Sequence, residues 1–323
     1  MYKRQRLKNL KISNSVANVG GGGISCDACD SRITDVNISN NYVTGIGGGI
    51  RVFNGSNPEL LGVMIANNTA TLNGGGIAYE GLPASTIDQK LHRVSIVGNT
   101  SSEGVGGGVY LYSSLATVTR SFIQDNSASL KGGGLSIEWA SELTLENSFV
   151  SGNILTSGVQ GSNVYIGKSD QLIGSNEKLI AMNSNLIDTV ALFDESLFSM
   201  YTNGLVKPLL INSIAIGRLD AAIPTSNFDL NYSYCNDCSN LLTFAANTGN
   251  VTGSAGFVDF DKGKFDLADN SLLLSAATES FTTVANETYR APEVDIRGTQ
   301  RPIPFGSKLD IGAYESEFSG KSL

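Results

Sequence analysis

This sequence is short of charge, has one histidine and holds no long apolar run, and each shortage removes a class of function. Charged residues make up 16% of the 323 positions, with a formal net charge of −8 and a pI near 4.8. No Lys/Arg stripe interleaves with aromatics, so the electrostatic footprint of a nucleic-acid binder is missing and nucleic acid is set aside as a partner. No stretch approaches the ~18 apolar residues that cross a bilayer, so no transmembrane segment is expected, and the N-terminus lacks the apolar core of a signal peptide. The sole histidine, His92, lies on an inserted stretch and reads as a surface loop residue rather than a proton shuttle. Long 3.6-period runs are also absent, which excludes a helical repeat.

What the chain does have is glycine, 37 residues of it, arranged in a repeat. From Ile12 it reads ISNSVANVGGGGI, from Ile38 ISNNYVTGIGGGI, from Ile65 IANNTATLNGGGI, from Ile96 IVGNTSSEGVGGGV and from Ile123 IQDNSASLKGGGL, with a decayed copy from Val150, VSGNILTSGVQGSNV. Taking Ile24, Ile50, Ile77, Val109, Leu135 and Val164 as equivalent gives steps of 26, 27, 32, 26 and 29 residues. Each unit holds short alternating segments such as Val36 with Ile38, Val63 with Ile65 and Val94 with Ile96, and a fainter third in LATVT (115–119) and ELTLE (142–146). The pattern predicts an all-β, single-stranded right-handed parallel β-helix with three short strands per coil and about 10–11 coils, each coil about 4.8 Å from the next.

Stacking explains the punctuation. Asn41, Asn68, Asn99, Asn126 and Asn153, with Ser15 before them, fall at one turn and are expected to form an amide ladder along the axis. The glycines permit positive φ and close backbone approach. A phosphate loop is excluded because a strand rather than a helix follows, and the motif recurs. Residues 9–255 are read as coils, regular to about 168 and looser after, and 256–323 as a closing coil and cap. Residues 1–8 are read as a non-native or truncated start, since MYKRQ matches what a sequencing-library adapter would encode.

The stretches GFVDFDKGKFDLADNSLLLSAA (256–277) and DIRGTQRPIPFGSKLDIGAYE (295–315) resemble the closing motif of bacterial secreted β-helix proteins of the choice-of-anchor Q type, and the GGG-Ile repeats resemble polymorphic outer-membrane (Pmp-type) proteins. This chain departs from the first pattern where NSLLLSAA stands for the usual Ser-Pro-Ala. The resemblance implies a fold and an extracellular or cell-surface location and carries no catalytic residue set. Within the closing motif, Asp295, Arg297, Arg301, Asp310 and Glu315 read as an ion-pair cluster locking the last coil.

The four cysteines form two CxxC pairs, Cys26 with Cys29 and Cys235 with Cys238. Some seven or eight coils place the pairs roughly 35 Å apart, too far to share a zinc ion, so two local disulfides are expected and no metal site. Asp259 and Asp261 are spaced somewhat like a calcium loop without its closing glutamate, which leaves calcium as a weak cofactor candidate and otherwise none.

Alternation after the glycines sets Ser25, Arg51, Ala78, Tyr110, Ser136 and Tyr165 in one outward row and Asp27, Phe53, Glu80, Tyr112, Glu138 and Gly167 in a second. Phe53, Tyr110, Tyr112 and Tyr165 are the candidate glycan-binding aromatics. Glu80 and Glu138 fall about 9–10 Å apart, near the upper end of the separation used by inverting glycoside hydrolases. With Arg51, or Lys168, as the base of a lyase, they are the candidate catalytic residues. The favoured reading is a monomeric adhesin-like or polysaccharide-binding module without catalysis, its partner a polysaccharide or cell-surface glycan. The alternatives are a polysaccharide-active enzyme and a merely solvated face.

Overall fold

A computed structural model describes residues 5–81, 86–167, 177–188, 198–203, 207–221, 228–238, 249–302 and 305–317. The chain is a parallel β-solenoid. Its first coil runs through strands Arg6–Lys8, Lys11–Ser13, Val16–Ala17 and Ile24–Asp27, and each begins a sheet to which later coils add one parallel strand. Among the described residues the first and second sheets have nine strands, the third six and the fourth eight. Val251 adds an isolated parallel bridge to Tyr234 and so begins a tenth rung. The three strands per coil read from the sequence are those of the first, second and fourth sheets. The fourth strand is only two residues long, as in Thr69–Ala70, too short to show an alternation.

The register pairs Ile24 with Ile50, Ile50 with Ile77, Ile77 with Val109, Val109 with Leu135 and Leu135 with Val164. This inward column is therefore aliphatic from Ile24 to Val164, whereas the neighbouring one, Cys26, Val52, Tyr79, Leu111, Ile137 and Ile166, admits a buried tyrosine. In the second sheet Ile38, Ile65, Ile96, Ile123 and Val150 stack in register and are fully buried. Each such side chain contributes about 1.5–3 kcal/mol by leaving water.

Both CxxC pairs are local disulfides, as their spacing predicts. Cys26 is bonded to Cys29 with a Cα–Cα separation of 5.5 Å, and Cys235 is bonded to Cys238 with one of 5.9 Å. Cys26 lies on the first strand of the fourth sheet and Cys235 on the last strand of the second, so the two pairs close opposite ends of the stack and do not meet. At each end an inward column has a neighbour on one side only. Cys29 packs against the first coils of the core, and Cys238 is buried within its last.

Turns carry the polar stacking. Asn41 Nδ2 donates to Asn68 Oδ1 at 2.9 Å, Asn68 to Asn99 at 2.9 Å, Asn99 to Asn126 at 3.0 Å and Asn126 to Asn153 at 3.0 Å. The same oxygens accept the backbone N–H of the preceding asparagine, and Ser15 N–H donates to Asn41. The residue before each ladder member takes positive φ, and it is Asn40, Asn67, Gly98, Asp125 or Gly152, residue types that accept that conformation. The triple glycine has two causes. Gly47 has φ +76°, and a Cβ on Gly48 would collide with the carbonyl oxygen of Gly75 one coil on.

From residue 256 the chain does not stack as a further coil. It forms two antiparallel hairpins, Phe257–Asp259 with Lys264–Leu267 and Ser280–Thr282 with Thr288–Arg290, and lies against the flank of the solenoid. Outward-facing apolar residues there demand cover. Phe265 and Tyr314 meet Phe149 at ring separations of 5.1 and 6.3 Å, and Phe281 and Tyr289 pack on Ile180, Met182, Leu209 and Ile211. Turn residues of three coils supply the polar contacts: Arg120 Nε donates to Ile296 O, Asn147 Nδ2 to Val294 O and Asn212 Nδ2 to Thr278 O.

Candidate functional site

The fourth sheet holds both outward rows. Its register runs Ser25, Arg51, Ala78, Tyr110, Ser136, Tyr165 in the first and Asp27, Phe53, Glu80, Tyr112, Glu138 in the second. The first row does not lie on the surface: from Ala78 onward it is buried, with Tyr110 6% and Tyr165 0% exposed. The residues leading into each triple glycine fold over it, Ile46 and Val105 packing on Ala78 and Tyr110, and Lys131 setting its ammonium 4.6 Å over the ring of Tyr165. The glycine arcs act as a cover as well as turns. Burial pushes the phenols of Tyr110 and Tyr165 well above their ordinary range, with the Glu138 carboxylate adding to the rise.

The second row is half-exposed at Phe53, Glu80 and Tyr112. Arg51 bridges it, with Nε 2.5 Å from Glu80 Oε2 and its guanidinium 4.6 Å over the Phe53 ring. Glu138 is covered to 2% exposure and accepts the Ser136 hydroxyl at 2.8 Å on the same face of the strand. Tyr112 lies one coil from each of Glu80 and Glu138. The two carboxylates therefore differ in setting: one is ion-paired at the surface and the other is buried.

Beyond Glu138 stands Trp139, which the sequence reading passed over. Its half-exposed indole lies 5.4 Å from the Tyr112 ring, and Tyr112 lies 6.3 Å from Tyr110. Trp139 has φ 56° and Ala140 φ 59°. The second coil makes a similar two-residue left-handed turn with Asn54 and Gly55, φ 53° and 72°, the residue types that favour it. A tryptophan there is an outlier costing about 1–3 kcal/mol, and strain of this kind collects at functional sites. Buried Glu177 pins the turn by accepting Ala140 N–H at 2.9 Å, while Ser113 Oγ donates to Trp139 O at 3.0 Å. The available signal was that this coil has Trp-Ala where another has Asn-Gly.

A second ladder also escaped the sequence reading. Ser121, Ser148, Ser184, Ser213 and Ser233 stack at the turn into the second sheet; each hydroxyl oxygen accepts the backbone N–H one coil earlier, beginning with Val94 N–H to Ser121. The positions before it are Val36, Val63 and Val94, so the site changes from apolar to hydroxyl partway along the stack.

The remaining candidates lie apart from this row. His92 is on a strand, Asp88–His92, instead of a loop; its Nδ1 lies 2.7 Å from Thr119 Oγ1. Asp259 is paired with Lys262 at 2.8 Å and Asp261 is exposed. Among the described residues no three His, Cys, Asp or Glu side chains gather as a metal-holding group. Lys168 lies outside the described residues. In the closing motif Arg301 and Glu315 form a buried pair at 3.2 Å, whereas Arg297 pairs outward with Asp266 at 2.6 Å and covers the Tyr314 ring at 4.5 Å. No helix is long and apolar enough to cross a membrane among the described residues. No family model, curated protein or solved structure matches the chain.

Proposed function

We propose that this chain is a secreted or cell-surface β-helix module that binds polysaccharide along Phe53, Glu80, Tyr112 and Trp139 without cleaving it. The observation that carries the reading is Trp139, held half-exposed beside Tyr112 in a strained left-handed turn. An aromatic face offers apolar area to the C–H face of a sugar, and neighbouring polar groups meet its hydroxyls. Arg51 and Glu80 supply such groups. Binding is favoured over hydrolysis because Glu138 is buried and Glu80 is engaged by Arg51, which leaves the pair without the matched access that acid–base cleavage needs.

The disulfides of Cys26 with Cys29 and of Cys235 with Cys238 support an oxidising compartment. The resemblance to choice-of-anchor Q and Pmp-type proteins points the same way. The test is a glycan array with wild type, Trp139→Ala and Tyr112→Ala, run beside assays for unsaturated products and new reducing ends. Retention that both variants lose, with no product formed, is the expected result. Retention unchanged in both variants, or product formation, overturns the reading.

A further inference from the structure

Two buried polar side chains interrupt inward columns that are otherwise apolar, and both flank the turn that leads from the third coil into the fourth. In the fourth sheet Tyr79 stands between Val52 and Leu111. In the first sheet Gln89 is followed by Ala116, Leu143 and Leu179. Tyr79 is 1% exposed and Gln89 6%. The turn between them differs as well. Aligned on Leu60, Leu91, Val118 and Leu145, the position that holds Ser56, Ser114 and Ser141 in other turns holds Ile87 in this one.

The two side chains line one small hollow, together with Phe53 and Glu80 of the aromatic row and with Ser56 and Ser114. It leaves about 10 Å³ for the centre of a water-sized group, within about 240 Å³ counted to its open mouth, which is room for a single hydroxyl. Gln89 Nε2 is fixed by donating to Ser56 O at 2.9 Å. Among the described residues Gln89 Oε1 and Tyr79 Oη have no hydrogen-bond partner. Burial raises the Tyr79 phenol well above its ordinary range and so keeps its proton on. The hollow therefore offers one donor and one acceptor, and leaving both unmet is costly. One hydroxyl satisfies the two at once, accepting from Tyr79 and donating to Gln89. An anion would face the Gln89 carbonyl oxygen and the Glu80 carboxylate. A cation would find the one lining carboxylate already engaged by Arg51.

We propose that this hollow receives the exocyclic hydroxymethyl group of a hexose lying across Phe53 and Glu80, so that the polysaccharide bound is built of hexoses and not of pentoses. The proposal rests on the polysaccharide-binding reading and names its substrate class. Ring hydroxyls stay close to the sugar ring, whereas the hydroxymethyl oxygen stands one carbon further out and reaches below a ring that rests on the surface. A pentose has no such arm. A site built to hydrogen-bond a substrate hydroxyl discriminates against the analogue that lacks it, because its own buried groups are then left unpaired.

The test measures affinity of the whole chain for gluco-, manno- and galacto-oligosaccharides and for xylo-oligosaccharides of the same β linkage and length, in wild type, Tyr79→Phe and Trp139→Ala. At least one hexose series binds about tenfold or more tighter than the xylose series. Tyr79→Phe removes a single oxygen; it lowers hexose affinity about tenfold and leaves xylose affinity unchanged, while urea unfolding without sugar stays close to wild type. A Tyr79→Phe protein that loses stability but binds hexoses as wild type assigns the hollow to a bound water and overturns the proposal. A xylose series bound as tightly as every hexose series overturns it too. Binding to none of the series overturns the proposal and the polysaccharide reading together. Hexose binding that depends on Tyr79 but not on Trp139 overturns the part assigned to the Trp139 row and supports the hollow.

Discussion

The indole of Trp139 and the ring of Tyr112 lie 5.4 Å apart, centroid to centroid, with their planes inclined by 39°. The contact is made from a backbone that favours neither Trp139 nor Ala140, both at positive φ. Relieving the strain and removing the ring should therefore act on different observables. Ala140→Gly is expected to raise stability by about 1 kcal/mol, since glycine accepts left-handed φ without a Cβ clash, and to keep glycan binding. Trp139→Ala is expected to lower glycan affinity about tenfold, or about 1.4 kcal/mol, while the fold persists. Urea unfolding and affinity electrophoresis on both variants check the pair. A Trp139→Ala protein that binds as wild type contradicts the assignment.

The asparagine ladder gives a sharper stability prediction. Asn99 accepts from the backbone N–H and Nδ2 of Asn68 and donates to Ile65 O and Asn126 Oδ1, all buried. Asn99→Ala removes partners from several buried groups at once, each costing about 1–3 kcal/mol when left unsatisfied. A total loss of about 3 kcal/mol or more is expected in urea unfolding. Leu72→Ala serves as the control, because Leu72 is exposed at 45% and should shift stability by under about 0.5 kcal/mol.

His92 titrates below its ordinary value, through burial first and then the positive charges of Arg120 and Arg93. The unfolded chain takes up the proton at higher pH than the native one. The stability linked to His92 is therefore complete above about pH 6.5 and is lost as pH falls through the depressed folded value. Glu146, in the same outward column, has its pKa raised by burial and acts in the opposite sense: stability rises as pH falls through that raised value. Because His92 is the only histidine, its ring signal in a proton NMR titration reports this site alone. The midpoint should lie below 6.5, and it should move upward in Arg120→Gln.

Most of the solenoid is legible in the sequence because stacking forces equivalent positions to repeat. Ile38, Ile65 and Ile96 share one inward environment, so their spacing is also their register. The aromatic row was legible only in part. Alternation places Tyr110 and Tyr165 outward, but it cannot show that Val105 and Lys131 fold back over them, because the glycine arcs have no period-2 pattern. Trp139 lies just past a strand end, where alternation stops and only backbone geometry marks the residue. The serine ladder hides because it begins where a valine column ends. The flank-lying C-terminal segment is not periodic at all; its place follows from the outward-facing Phe149 and Ile180, whose need for cover is a property of the assembled coils.

That cover is held by charge as well as by rings. Arg301 is buried with Glu315, donating to it at 3.2 Å, to Gly312 O at 2.9 Å and to Asn147 Oδ1 on the solenoid at 3.3 Å. Asp310 accepts the N–H groups of Ser275 and Ser316, and Asp295 accepts those of Thr299 and Glu315, so the carboxylates are bound largely by backbone donors. Removing only Arg301 leaves Glu315 buried without its counter-ion, at a cost of about 3–5 kcal/mol. Arg301→Met is therefore expected to destabilise the docked segment strongly, while Arg301→Met/Glu315→Leu recovers part of the loss, because Glu315 is then no longer stranded although Asp295 and Asp310 still lose the facing cation. Hydrogen exchange locates the effect: amides of residues 256–316 should exchange faster in the single variant than in the double, while those of the coils around Ile65 and Ile96, whose bonds run along the solenoid, stay protected in both. Equal protection of residues 256–316 in the single variant and the wild type would mean that the aromatic contacts at Phe149 hold the segment without the buried pair.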